Sequence, residues 1–563
     1  MKQLNLKFIL VALSMLLAPS ALMALEKEGE DYLIKTADDL IEFARLVNNG
    51  EAFNIFGNAH AKLMADIDLR GRESEFPLIG SVQHPYQGTF DGQLHTITYD
   101  LVSTGESCGL FAYLNGTVRN LCLDGTMQVK HDYAGSIAGT ANFPALIERC
   151  HSKVKITADG GDYIGGLVGL STDFNNPPYV RIENCIYSGH IMGSSLHRSG
   201  ILGWSGRLYA SNTHINHCLV TAQIDNDMTH GAGHIIAGGD GLLVEYCYYV
   251  YPYGNGEPNG ATQITMEQVE SGEACCLLNV YRGIYNSVEY QTVFRQNVGE
   301  DKMPIFDPLH GLVKEITSMG YASFAPGYFG NDINCNNVTV PKGVKAYTGT
   351  LSGSSLLLHP AGDVIGGGNG NGFVLKGEPG FYSFMPTYEV RTAIDNELRG
   401  GNAATSTRYC TAYILDEKDG VTGFYKVSGW DNSVDSHIAL LLDPATDVDM
   451  LTLSIMYTLK YTVDGETYKA YEMEHGTIIT PEDAPTKEGY TFSGWSEIPT
   501  TMPDNDVTIT GHFILDTSGI TLIHDGKVEE TICTPDGRRI SQLQQGVNII
   551  RMNDGSTKKV LVK

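Results

Sequence analysis

Between residues 118 and 247 short apolar segments recur with the same residue types in the same order. One signature reads Ile147-Glu-Arg-Cys150, Ile182-Glu-Asn-Cys185, Ile215-Asn-His-Cys218 and Val244-Glu-Tyr-Cys247, with Val118-Arg-Asn-Leu121 as an earlier, cysteine-free copy. The other reads Gly135-Ser-Ile-Ala-Gly139, Gly165-Gly-Leu-Val-Gly169, Ser199-Gly-Ile-Leu-Gly203 and His234-Ile-Ile-Ala-Gly238. The cysteines step by 35, 33 and 29 residues and the glycine signature by 30, 34 and 35, so strands are kept while loops change length. A unit of a few short strands cannot bury its own apolar face. Stacking the units aligns Ile, Leu, Val and Cys into one continuous core, which predicts a parallel β-solenoid. Glycine belongs where a corner needs positive φ or where backbones approach closely. Five or six coils at about 4.8 Å each make a rod roughly 25–30 Å long.

The polar and apolar spacing changes at both ends of the array. Thr36 and Asp39 form the pattern of a capping box, Leu40, Phe43, Ala44 and Val47 follow at helical spacing, and Asn49-Gly50 ends the helix. Ala61 to Leu69 reads as the first strand. Thr265 and Gln268 open a second short helical stretch through Leu278, a C-terminal cap. From about Ile316 short alternating segments follow, including Val340 to Tyr347, Gly372 to Tyr382 and Gly423 to Lys426, with enough apolar positions for a sandwich core of their own. The glycine-rich run Gly366 to Gly372 lacks the Lys-Ser/Thr and the helix of a phosphate loop and reads as a turn.

These motifs carry resemblances. Gly-Gly-Leu-Val-Gly169, the strands ending in Asn-Cys, Tyr86-Gln-Gly-Thr-Phe-Asp-Gly-Gln-Leu-His-Thr-Ile97 and Cys108-Gly-Leu-Phe-Ala-Tyr-Leu-Asn-Gly-Thr-Val-Arg-Asn-Leu121 resemble the GLUG-motif repeats of bacterial surface proteins. That resemblance implies a right-handed parallel β-helix and adhesin-like use. The segments after Ile316 resemble a β-module of exported Bacteroidota proteins. Leu459-Lys-Tyr-Thr-Val-Asp-Gly465, Pro485 to Trp495 and Met502 to Ile509 resemble a single repeat of the internalin-B type, which implies a small β-grasp used as a surface spacer, with Trp495 in its core. Thr534-Pro-Asp-Gly-Arg-Arg-Ile540, Gly546 to Arg551 and Lys558 to Lys563 resemble the C-terminal sorting domain of type nine secretion, which implies the secretion machinery as a partner.

The expected organisation is therefore all-β: a signal peptide over 1–24, an N-terminal cap helix and first strands over 25–80, and the GLUG-type β-helix over 81–260. A C-terminal cap and linker over 261–315 follows, then a β-sandwich-like module over 316–450, the β-grasp repeat over 457–515 and the sorting-like segment over 517–563. Lys2 and Lys7 before the apolar run Phe8–Leu17, and small residues ending at Ala24, make the export signal. No later segment has the ~18 apolar residues of a spanning helix. The expected location is the cell surface or outer membrane of a Gram-negative bacterium.

Charge and chemistry narrow the picture further. A formal net charge of −27 argues against nucleic acid, whose phosphates need a basic face. Eleven cysteines in an exported chain suggest disulfides. Stacked positions about 4.8 Å apart nevertheless exceed the Cβ separation of about 3.8 Å that a disulfide takes. Cys150, Cys185, Cys218 and Cys247 therefore read as a ladder of buried free thiols, and a linear stack does not offer the tetrahedral ligands of a metal site. Asp225 and Asp227 with His230 and His234, Asp66 with Asp68, and His214 with His217 are the densest polar groupings. They read as solvated loop and edge residues, so no catalytic, cofactor or metal residue is assigned. The expected function is a non-catalytic surface adhesin or scaffold that binds an extracellular glycan or a host or matrix protein, the alternative being a polysaccharide lyase or hydrolase built on a β-helix.

Overall fold

The computed structural model describes residues 25–51, 59–103, 105–131, 133–173, 180–207, 213–225, 233–239, 242–252, 260–279, 293–326, 337–366, 371–389, 395–400, 411–427, 439–443, 448–515, 529–552 and 555–563. The expected signal peptide, Asp227, His230 and the glycine-rich turn at 367–370 lie outside these residues. The fold is all-β, 52% strand and 5% helix, with a β-solenoid of about six turns and additional sheets. The chain divides into two compact units, residues 1–455 and 456–563.

One ladder of the solenoid runs through Asp31–Ile34, His60–Leu63, Thr89–Asp91, Thr117–Arg119, Leu146–Glu148, Val180–Glu183, Thr213–Asn216 and Leu242–Glu245, all in parallel. Its register puts Val118, Ile147, Ile182, Ile215 and Val244 in one inward column, buried in every coil. The ladder begins earlier than the sequence suggests. Asp31–Ile34 precedes the cap helix and still pairs with His60–Leu63. The predicted single strand 61–69 is two, His60–Leu63 and Ile67–Asp68, which pair in different sheets across a corner.

After this ladder each coil turns on one residue. Asn120, Arg149, Asn184, His217 and Tyr246 all adopt left-handed φ, between 50 and 53°. Few side chains tolerate that conformation, and Asn does so best. The next position, Leu121 and then the four cysteines, points inward and is buried. Each thiol faces the carbonyl two residues back, at 3.2–3.3 Å, and that of the preceding coil's column residue, at 3.5–3.7 Å. Cysteine suits the corner because it fills a small apolar space and still offers a weak donor to carbonyls turned in by the bend.

The glycine signature works differently. Gly135, Gly139, Gly165, Gly169 and Gly203 have no positive φ, so of the two expected reasons for glycine only close approach applies. A Cβ on Gly165 would lie 1.9 Å from the Val168 carbonyl oxygen, and one on Gly169 2.4 Å from the Ala134 nitrogen. The strands flanking the bend, such as Tyr163–Gly165 and Val168–Asp173, are pressed together through these glycines. The last copy is shifted by one residue from the sequence alignment. Ser199 pairs with Gly233 and Leu202 with Ile236, so the copy starts at Gly233 rather than His234. The reason is again space, since a Cβ at Gly233 would lie 1.6 Å from the Ile236 oxygen.

Helix α1 (Ala37–Asn48) closes the N-terminal end. Its capping box between Thr36 and Asp39 is formed, and Leu40, Phe43, Ala44 and Val47 enter the solenoid core, Phe43 meeting Tyr32, Tyr86 and Phe90. At the far end Ala261–Gln263 adds a last strand to Cys247–Tyr249. Helices α2 (Met266–Glu270), with the Thr265–Gln268 capping box, and α3 (Glu273–Leu278) pack on the outward residues Ile186, Leu219 and Tyr248. These helices cover a flank of the last coils, while the strand closes the end. The remainder of this unit is a set of sheets built on two apolar clusters, one around Phe324, Phe373 and Phe384 and one around Tyr347, Tyr413 and Phe424. In the second unit, residues from Met456 of the strand Met450–Val463 pair with Glu466–Glu474 and Val507–Gly511, and 529–563 form a four-stranded antiparallel sheet.

Candidate functional site

The parallel register stacks identical positions, so a surface feature repeats along the rod. Two residues before each glycine bend stand Tyr133, Tyr163 and His197, paired coil to coil. The inward neighbours Ala134 and Ile164 are fully buried, which turns these three rings to the opposite side, where they are half-buried. Tyr133 and Tyr163 stack at 5.7 Å and 13°, Tyr163 and His197 at 5.0 Å and 20°. Trp204, from the strand after the bend, crosses them at 5.3 Å from Tyr163 and 4.9 Å from His197, edge-on to the latter. A Cβ on Gly238 would lie 2.4 Å from the Trp204 ring, so glycine there makes room for the indole. Tyr113 heads the Trp204 column one coil before Thr140, its phenol held above the ordinary range by burial and then by Glu106. The outcome is an aromatic stripe across three coils that presents ring edges, because the ring faces are spent on one another.

Sequence reading did not single out this stripe. Its signal was available, since the two tyrosines and the histidine occupy one offset from the glycine signature.

The partners seen for the described residues of these polar groupings lie outside each grouping. Asp225 meets His190 at 2.9 Å, whereas His234 stacks on Tyr249 at 4.0 Å. Asp66 accepts from the Thr96 nitrogen and contacts His95 at 3.2 Å, and Asp68 pairs with Arg70, which lowers its pKa to about 2. His217 is a left-handed corner residue stacked on Tyr246. His214 is half-buried and its pKa is lowered by desolvation. Among the described residues no three His, Cys, Asp or Glu side chains are grouped to hold a metal ion. A further buried histidine, His151, faces Ser188 at 2.7 Å and is held down to about 3 by desolvation and then by Lys153.

In the second unit Trp495 packs edge-on against Tyr461 at 5.0 Å and Phe492 at 4.7 Å, and its Nε1 donates to the Glu482 carbonyl at 2.9 Å. Glu482 receives Tyr471 at 2.6 Å and pairs with Lys469, so this corner is fully engaged. Residues 457–515 match the Listeria-Bacteroides repeat domain. That repeat is typical of surface proteins. A crystal structure described as a "putative immunoglobulin A1 protease from Bacteroides ovatus" is similar at 18% identity and a TM-score of 0.36, over 50% of this chain and 93% of that one. No described helix is long and apolar enough to cross a membrane.

Proposed function

We propose that this chain is a non-catalytic, cell-surface adhesin or scaffold of a Gram-negative bacterium, holding an extracellular glycan or protein against the solenoid flank. The observation that carries the reading is the aromatic stripe of Tyr133, Tyr163, His197 and Trp204. Aromatic side chains supply large contact area at low conformational cost, and interfaces are enriched in them. Ring edges and phenol groups suit hydrogen bonding to sugar hydroxyls or to a polypeptide better than face-on stacking of a sugar. The surface-type repeat at 457–515 supports the location. On this reading the solenoid is of the GLUG type, the leading residues export the chain, and 517–563 address it to the type nine secretion machinery.

A glycan and matrix-protein array probed with the purified chain identifies the ligand class. The variant Tyr163→Ala/Trp204→Ala should then lose about tenfold or more in affinity for whatever is bound, as for central aromatic residues of other interfaces. Undiminished binding by that variant, or turnover of a polysaccharide by the parent chain, overturns the proposal.

A further inference from the structure

The C-terminal sheet is net basic in a chain that is acidic as a whole. Residues 529–563 carry six cationic and four anionic side chains in a chain of formal net charge −27. The sheet orders its strands as Arg539–Ile540, Glu529–Cys533, Gly546–Met552 and Thr557–Val562. Register then fixes which side chains share a face. Arg539 is opposite Cys533, Cys533 opposite Ile549, and Ile549 opposite Lys559, a row that crosses all four strands. Arg551 lies two residues along from Ile549 and so projects from the same side. Leu561, opposite Val547, belongs to this side too and is 63% exposed. The alternate row, Ile540, Ile532, Ile550 and Lys558, forms the other side, where Ile550 is 4% exposed.

One side of this sheet thus carries Arg539, Arg551 and Lys559, all exposed, around a partly exposed apolar centre of Ile549, Val547 and Cys533. Among the strand residues whose side chains are described, 531–533, 539–540, 546–552 and 557–562, none on that side is a carboxylate. Three or four strands at about 4.8 Å spread the cations over roughly 14 Å. We infer that this basic face docks on an anionic lipid surface, its cations on headgroup phosphates and Leu561 at the acyl boundary. A plane of phosphates matches a flat sheet with separated cations, and an exposed leucine beside them adds apolar contact that a free anion could not use. The acidic remainder of the chain does not prevent this, since screening beyond about 8 Å leaves the local face to decide contact. The inference does not depend on the ligand of the solenoid flank, nor on whether the same segment is read during secretion.

The test is co-sedimentation of the full chain with vesicles of phosphatidylcholine alone or mixed with phosphatidylglycerol. The chain should bind the anionic vesicles only, more weakly as salt rises. Arg539→Gln/Arg551→Gln/Lys559→Gln should reduce partitioning by about fivefold per cation, roughly a hundredfold together. The Lys-for-Arg variant Arg539→Lys/Arg551→Lys should retain binding, and Lys558→Gln on the opposite side should matter little. Equal binding to phosphatidylcholine, no binding to the anionic vesicles, or an undiminished triple variant overturns the inference. So does release by inorganic phosphate alone, which would mark a single-ion site, or pelleting without vesicles, which would mark association between copies.

Discussion

Replacing Gly165 by alanine should destabilise the solenoid although both residues accept the local backbone conformation. The added methyl would lie 1.9 Å from the Val168 oxygen and 2.7 Å from the Gly203 nitrogen and the Ile201 oxygen. All three are backbone atoms, two of them in the next coil, so no side chain can swing away. Overpacking commonly costs about 1–3 kcal/mol, and a backbone-only obstacle puts this site near the upper end. Alanine also narrows the unfolded ensemble, which returns about 0.4–1 kcal/mol. The net loss is then about 2 kcal/mol. Gly105→Ala is the matched control, since a Cβ there meets nothing within 4 Å and φ is not left-handed. It has the same unfolded-state gain and no collision, so it should be neutral or slightly stabilising. Urea unfolding followed by far-ultraviolet circular dichroism gives both values under one slope. If Gly165→Ala proves as stable as Gly105→Ala, the glycine bends are not held by close approach and the account of the signature fails.

Two further outcomes test the interior. Native protein treated with iodoacetamide should leave Cys150, Cys185, Cys218 and Cys247 unmodified, because all four are buried and burial pushes the first three thiols well above their ordinary range. Denaturation without reductant should then expose four alkylatable thiols by mass spectrometry, and a disulfide between any two of them refutes the ladder. His151 should make stability fall in acid: the unfolded imidazole takes its proton near pH 6.5 while the buried one stays neutral down to about 3. Between those values the unfolded state binds the extra proton, so stability drops as pH falls, by at most about 1.4 kcal/mol per unit. His151→Gln should flatten that part of the urea-midpoint profile, and an unchanged slope would show that the histidine is not the group responsible.

The inward columns were legible because every coil must offer an apolar residue at the same depth, so Ile147, Ile182, Ile215 and Val244 advertise their register. The two helix starts were legible because a capping box is a contact over three residues, complete within the sequence itself. The corners were not. Five residues with the same left-handed φ are Asn, Arg, Asn, His and Tyr, so the constraint lies in the backbone and the side chains do not announce it. Asp31–Ile34 escaped notice because its partner, His60–Leu63, stands beyond the cap helix, where a strand of four residues carries too little pattern to be seen alone. In the last coil Gly238 offered a glycine that completed the motif one residue late, and only the pairing of Ser199 with Gly233 shows that hydrogen-bond register outweighs motif spelling.

The same logic explains why closeness along the chain does not make a shared polar site here. In a solenoid a side chain's neighbours are the residues one coil away, about thirty positions distant, and residues a few positions apart diverge to opposite sides of a turn. Asp225 and His234 are close in sequence, yet Asp225 reaches back 35 residues to His190 and His234 packs on Tyr249. Asp66 likewise finds His95, 29 residues on, rather than Asp68. The aromatic stripe is the positive case: Tyr133, Tyr163 and His197 share no local motif of binding and are 30 and 34 residues apart, yet they are consecutive in space. The surface of such a rod is therefore encoded down columns. A substitution at Tyr163, which touches Tyr133, His197 and Trp204, should therefore disturb the whole stripe.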